Sequence, residues 1–100
     1  MIILTAKLKA QEGKEPELEA ALSELVEGVS ANEPGVALYT LHVSDEDPSL
    51  YMMYEQYADG DAQKAHGATE HMAAFRDVAG SLLDGPMEIE RYTLVTELER

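Results

Sequence analysis

Val36-Ala37-Leu38-Tyr39-Thr40-Leu41-His42-Val43-Ser44, then Asp45-Glu46-Asp47-Pro48-Ser49, then Leu50-Tyr51-Met52-Met53-Tyr54-Glu55-Gln56-Tyr57 reads as strand, turn, strand. The flanking runs are rich in β-branched, aromatic and Met residues, and the segment between them has turn chemistry. Pairing Ser44 with Leu50 sets residues whose numbers sum to 94 opposite one another, so Tyr39 falls beside Glu55 and Ala37 beside Tyr57. Leu41, Val43, Tyr51 and Met53 share their face, which makes Glu55 a carboxylate set in a mostly apolar surface. Burial there raises its pKa.

Upstream of the hairpin, Asn32-Glu33-Pro34-Gly35 stops a helix predicted over about residues 15 to 31, with Gly35 free to take positive φ in the turn. Leu18, Leu22, Leu25, Val26 and Val29 recur at helical spacing, Pro16 suits a first turn, and Glu15, Glu17 and Glu19 suit a helix N-terminus. Before it, Ile2, Leu4, Ala6, Leu8 and Ala10 alternate with Ile3, Thr5, Lys7 and Lys9 as a strand. Downstream, a short helix from Asp59 ends at Gly67, a longer one starts near Thr69 as N-cap, and Gly85-Pro86 breaks it. Its apolar stripe is Met72, Phe75, Val78, Ala79 and Leu82. A last strand alternates Met87, Ile89, Arg91, Thr93 and Val95 with Glu88, Glu90, Tyr92 and Leu94.

The order β-α-β-β-α-β is the split βαβ arrangement: an α+β, ferredoxin-like, four-stranded antiparallel sheet with helices on one face, as a single domain over residues 1–100. The other sheet face is left bare. With Leu4, Ala6 and Leu8 on it, beside Leu38, Leu50, Met52 and Tyr54, it predicts a homodimer packed back to back through the sheet.

Composition narrows the partners. Twenty Asp and Glu against 7 Lys and Arg leave a net charge of −13, which argues against nucleic acid and anionic membranes. No signal peptide or membrane span is legible, and with no cysteine the chain is expected in the cytoplasm, without disulfides or thiol chemistry. One hundred residues make one two-layer core, so a site must lie inside it or between subunits. There is no Gly-rich phosphate loop, Gly-x-Ser-x-Gly, His-Glu-x-x-His or dinucleotide fingerprint.

The chemistry then rests on few side chains. Glu55 reads either as a structural carboxylate bonded to a tyrosine or histidine, or as an acid, base or substrate anchor. His66 and His71, five residues apart, do not share a face of one straight helix, but a break at Gly67 can aim both inward toward Glu55 or a ligand. Capping and core hydrogen bonding are the plainer roles for both. Their spacing is not the three or four of helical metal pairs, so no metal site is expected. His42 alternates onto the opposite sheet face and reads as an interface residue. Five of the six aromatics are tyrosines, which either pack or line a site for a flat ligand, and the Met52-Met53 pair suits an adaptable cavity or simple filling.

Glu33-Pro34-Gly35-Val36-Ala37-Leu38-Tyr39, then Tyr54-Glu55-Gln56-Tyr57, Ala62, Ala65-His66, His71-Met72 and Phe75 form a spaced pattern over about residues 2 to 96. It resembles the antibiotic biosynthesis monooxygenase domain family of dimeric α+β-barrel proteins. The resemblance implies a subunit dimerised through its sheet into an α+β barrel, with a pocket between sheet and helices. Some such proteins oxygenate phenols or quinols without flavin, metal or haem, some degrade haem, and some process small signalling molecules. It points to His71, Glu55 and His66 as catalytic candidates. Tyr39, Tyr57, Asn32, Met53 and Phe75 are the corresponding substrate-binding candidates. Two departures bear on substrate: Glu55-Gln56-Tyr57 stands where many relatives have Glu-x-Trp, and Lys7 stands where haem-degrading relatives place an asparagine.

The expected activity is therefore cofactor-independent oxygenation of a small aromatic, quinol-type molecule by molecular oxygen. In the expected mechanism His71, or Glu55 acting through it, takes the phenolic proton while Tyr39 and His66 orient the oxygens. A non-catalytic dimer that binds a small hydrophobic ligand and an isomerase or lyase acting on a small oxygenated metabolite are the alternatives.

Overall fold

Strand β1 (Ile2–Lys9) enters the middle of a sheet and is followed by helix α1 (Glu15–Asn32), as the change from period two to helical period at Gly13 predicts. The computed structural model describes residues 1–100. Strands β2 (Val36–Val43) and β3 (Leu50–Tyr57) form the hairpin, helices α2 (Gly60–Gly67) and α3 (Glu70–Leu82) make the second crossover, and β4 (Glu88–Thr93) closes the sheet. The strand order is β2-β3-β1-β4 with every pairing antiparallel, the ferredoxin-like arrangement. No helix is long and apolar enough to cross a membrane.

The crossover breaks where turn chemistry places the break. Asp59 caps α2 by accepting from the Ala62 amide, and Thr69 caps α3 by accepting from the Met72 amide. The Thr69 hydroxyl also donates to the His66 carbonyl at 2.8 Å, which ties the end of α2 to the start of α3.

The core lies between the sheet and the helices. Leu18, Leu22 and Leu25 of α1 and Phe75 and Leu82 of α3 pack on Ala6, Leu8, Tyr51 and Met53. Ladder partners share a face, so Leu4 opposite Glu55, Ala6 opposite Met53 and Leu8 opposite Tyr51 all point toward the helices. This corrects the expectation that Leu4, Ala6 and Leu8 line the bare face. That face instead carries Ile3, Thr5, Lys7 and Lys9 with Leu50, Met52, Tyr54 and Gln56, a mixed rather than an apolar surface. The reason is register: in β1 the odd positions pair with the even positions of β3.

Three local expectations also change. A β-bulge between Val36 and Leu38 sets Val36, not Ala37, opposite Tyr57, while Tyr39 does lie opposite Glu55. Positive φ occurs only at Gly13 and Gly85, so Gly35 is not needed for its φ. It is needed for space, because a Cβ there would lie 2.8 Å from the Ala62 side chain. That close approach sets α2 against the Glu33-Pro34-Gly35 turn. Finally, Val95 lies beyond β4 and is exposed rather than part of the strand.

Candidate functional site

Between the helix-covered face of the sheet and α2 and α3 lies a cavity of about 210 Å³. Its walls are mostly apolar, with Met53, Met72 and Phe75 among the lining residues, joined by Met87 just before β4 and Ile89 within it. The polar groups are Tyr39, Glu55, Tyr57, His66 and Gln63. An apolar cavity with a few convergent polar groups is the usual form of a small-molecule site.

Strand parity brings Tyr39, Glu55 and Tyr57 to one place. The Tyr57 hydroxyl donates to Glu55 Oε1 at 2.5 Å, and Glu55 is only 6% exposed. Burial pushes the Glu55 carboxyl above its ordinary value, against the Tyr57 hydrogen bond and the neighbouring His66. Tyr39 and Tyr57 are pushed well above the phenol range, first by burial and then by the nearby carboxylates, so both hydroxyls remain donors.

A second chain of contacts runs outward from Tyr39. Its hydroxyl donates to His66 Nε2 at 3.3 Å, and His66 Nδ1–H donates to Glu33 at 3.0 and 3.1 Å from the two carboxylate oxygens. A carboxylate only accepts, so Glu33 holds the imidazole proton on Nδ1 and leaves Nε2 bare toward Tyr39 and the cavity. His71 Nε2–H donates to the same Glu33 oxygen. The His66 ring also sits 5.2 Å from that of Tyr39 and 5.6 Å from that of Tyr57, centroid to centroid.

The candidates named from sequence thus divide. Tyr39, Glu55, Tyr57, His66, Met53 and Phe75 line the cavity. His71 does not: it packs against α1 and opens onto a separate groove between α1 and α3, and its partner is Glu33 and not Glu55. This corrects the expected route from Glu55 through His71. Asn32 is exposed and donates its amide to the Gly28 carbonyl one turn back on α1, so it also stands apart from the cavity. The residue missing from the sequence reading is Glu33. It is the C-cap of α1, where no periodicity indicates which way a side chain points, and it entered only as the first residue of the Glu33-Pro34-Gly35 pattern.

Comparison with known proteins identifies the family. Residues 1–78 match the family profile described as "Antibiotic biosynthesis monooxygenase". The chain is 31% identical over 94 residues to the Bacillus subtilis protein named "Putative monooxygenase YcnE", covering 94% of this chain and 98% of that one. Among solved structures, a "putative antibiotic biosynthesis monooxygenase" from Caulobacter crescentus is 36% identical, covers 95% of this chain and 90% of its own, and superposes with a TM-score of 0.90. PA3566 from Pseudomonas aeruginosa is 32% identical, with 95% and 94% covered and a TM-score of 0.88. The chain belongs to the antibiotic biosynthesis monooxygenase family.

Proposed function

We propose that this protein is a homodimeric, cofactor-independent monooxygenase that uses molecular oxygen to oxidise a small aromatic, quinol-type substrate. The observation that carries the reading is the unprotonated Nε2 of His66, backed by Glu33 and hydrogen-bonded to Tyr39 at the wall of a mostly apolar cavity. The name of the Bacillus subtilis relative, a "putative monooxygenase", supports the same reaction class. A cavity of about 210 Å³ is smaller than the roughly 300–1,000 Å³ of drug-sized pockets, and suits a flat molecule of one or two rings.

Ground-state oxygen reacts slowly with closed-shell organic molecules, so the substrate has to supply the electrons. A phenol does so once deprotonated. His66 Nε2 takes the phenolic proton, and the Glu33 carboxylate, accepting from Nδ1–H, stabilises the imidazolium from behind, as the carboxylate of a catalytic triad does. Tyr39 donates to the resulting oxyanion, and the Met53 and Phe75 side chains keep water from the ring. The phenolate passes one electron to oxygen, the radical pair joins at the ring carbon, and the peroxide O–O bond then breaks. One oxygen stays as a carbonyl and the other leaves as water. Written on the keto tautomer the balance is CH2 + O2 → C=O + H2O, and it needs no external reductant. Glu55, which holds its proton more tightly than an ordinary carboxyl, is the acid that serves the departing oxygen.

The test is oxygen uptake by metal-stripped protein against hydroquinones, naphthols and anthrones. Uptake is expected for a one- or two-ring member, and His66→Ala is expected to reduce it by about 10²–10⁴-fold, the usual contribution of a general base. No uptake above the uncatalysed rate with any of these classes overturns the reading. Ligand-raised melting temperature without turnover would then mark a binding protein, and turnover without oxygen an isomerase or lyase.

A further inference from the structure

His71 has no part in that chemistry, yet it is held as closely as His66. Its side chain is 16% exposed, those of Glu33 and His66 are 7% and 10% exposed, and both histidines donate to one Glu33 oxygen. The three come from separate places in the fold: the cap of α1, the last turn of α2 and the first turn of α3. One ligand atom of each lies within 4.8 Å of the other two. Two imidazole nitrogens and a carboxylate oxygen form a donor set that suits zinc and its first-row neighbours.

We infer that Glu33, His66 and His71 form a binding site for one divalent first-row transition ion. The field around them favours a cation. Helices α1 and α2 both end there, so the negative ends of two helix dipoles meet the Glu33 carboxylate, against one positive end from α3. The last turn of α1 carries no basic residue. The approach is also open: His71 lines a groove of about 610 Å³ whose walls include Glu17 and Glu24 and no Lys or Arg. Water from that groove completes the coordination.

The geometric adjustment is about an ångström, with the close His71–Glu33 contact opening as the two rings approach. A four-coordinate ion with bonds of about 2.0–2.2 Å keeps its donor atoms roughly 3.3–3.5 Å apart. His66 Nδ1 and Glu33 Oε2 are already 3.0 Å apart, and the two rings, 6.3 Å between centroids, have to close by about an ångström. Behind the donors, His66 Nε2 faces Tyr39, the kind of outer partner that fixes a metal-bound imidazole. Coordination at Nδ1 moves the His66 proton to Nε2, which then donates to the Tyr39 oxygen and no longer accepts. Metal binding and the base function of His66 therefore exclude each other. The site itself does not depend on the monooxygenase reading, and its test needs no substrate.

The experiment is equilibrium dialysis of the full chain against Zn²⁺, with metal content measured per chain, and with Co²⁺ as a spectroscopic probe. One ion per chain is expected, with the intense visible absorption of four-coordinate Co²⁺. Affinity is expected to fall at least roughly 100-fold in His71→Gln, above the effect of losing an outer partner. NMR of the wild-type histidine rings keeps the test decisive if that variant fails to fold. Zn²⁺ should move the ring signals of His66 and His71 and leave His42, on the opposite sheet face, as an internal control. No binding, unchanged affinity in the variant, or Zn²⁺ that moves His42 in place of the other two overturns the site. Any of these outcomes leaves the oxygen-uptake reading standing.

Discussion

At the scale of single residues, two glutamates with little-exposed side chains hold the polar contacts of the site, and only one was legible in advance. Alternation along β3 places Glu55 among apolar neighbours, and it is indeed buried with Tyr57 bonded to it. Glu33 sits where a helix ends, and its orientation depends on His66 and His71, 33 and 38 residues further along the chain. Glu55 also carries a pH prediction. Its folded pKa is raised above the ordinary 4.5, chiefly by burial, with Tyr57, His66 and Glu33 facing it. The native state thus holds that proton more tightly than the unfolded chain does. The associated stability is complete below pH 4.5 and declines as pH rises through the raised value. Glu55→Gln keeps the Tyr57 hydrogen bond and removes the titration. Urea midpoints measured across the pH range should show the wild type losing ground to Glu55→Gln as pH rises, and a flat or opposite difference contradicts the assignment.

At the scale of elements, the positions of the helices follow from caps and close approaches. Thr69 and Gly67 mark the break between α2 and α3 in the sequence, and the break occurs there. The bulge at Ala37 has no such mark, because a bulge answers to the twist and the partner strand. Helix α1 meets α3 at Gly28, where an added Cβ would lie 2.7 Å from His71 Cγ and 2.8 Å from its Cβ. Those atoms are near the backbone and cannot swing away. Alanine normally stabilises a helix interior relative to glycine by about 1 kcal/mol, and overpacking costs about 1–3 kcal/mol. Gly28→Ala should therefore lose up to about 2 kcal/mol net and separate His71 from Glu33. Gly80 in α3 has nothing within 4 Å, so Gly80→Ala should gain about 0.5–1 kcal/mol. Chemical denaturation of the two variants side by side checks both signs. A stabilised Gly28→Ala would mean that His71 is not pinned by α1.

For the whole molecule, the helices cover the sheet unevenly. Every residue of β4 is exposed, with Ile89 at 57% and Tyr92 at 47% on its two faces, and Val95 and Leu98 follow it in the open. Leu38 is exposed at the far edge on the same face as Tyr92. A second copy packed across this face would cover Leu38, Tyr54 and Tyr92, and the mixed charges of Lys7, Lys9, Glu88 and Glu90 would set its register. Light scattering is expected to give twice the 11.0 kDa chain mass, and Tyr54→Glu, near the centre of the face, is expected to shift it toward one chain. A wild-type mass of a single chain at micromolar concentration removes the dimer.

Helical and strand periods, the caps at Asp59 and Thr69, and the hairpin register from Tyr39 to Val43 were readable because each depends on residues close together in the chain. They are enough to establish a ferredoxin-like α+β fold and to set Tyr39 beside Glu55. Alternation identifies two faces of a strand without saying which one the helices cover. That is why Leu4, Ala6 and Leu8 came to lie inward, once β1 had taken its register between β3 and β4. The meeting of Glu33, His66 and His71 likewise exists only after α1, α2 and α3 have packed, through the clearances at Gly28 and Gly35. Local pattern is a matter of backbone geometry and side-chain spacing. Convergence of distant polar groups is a matter of how the layers close over them.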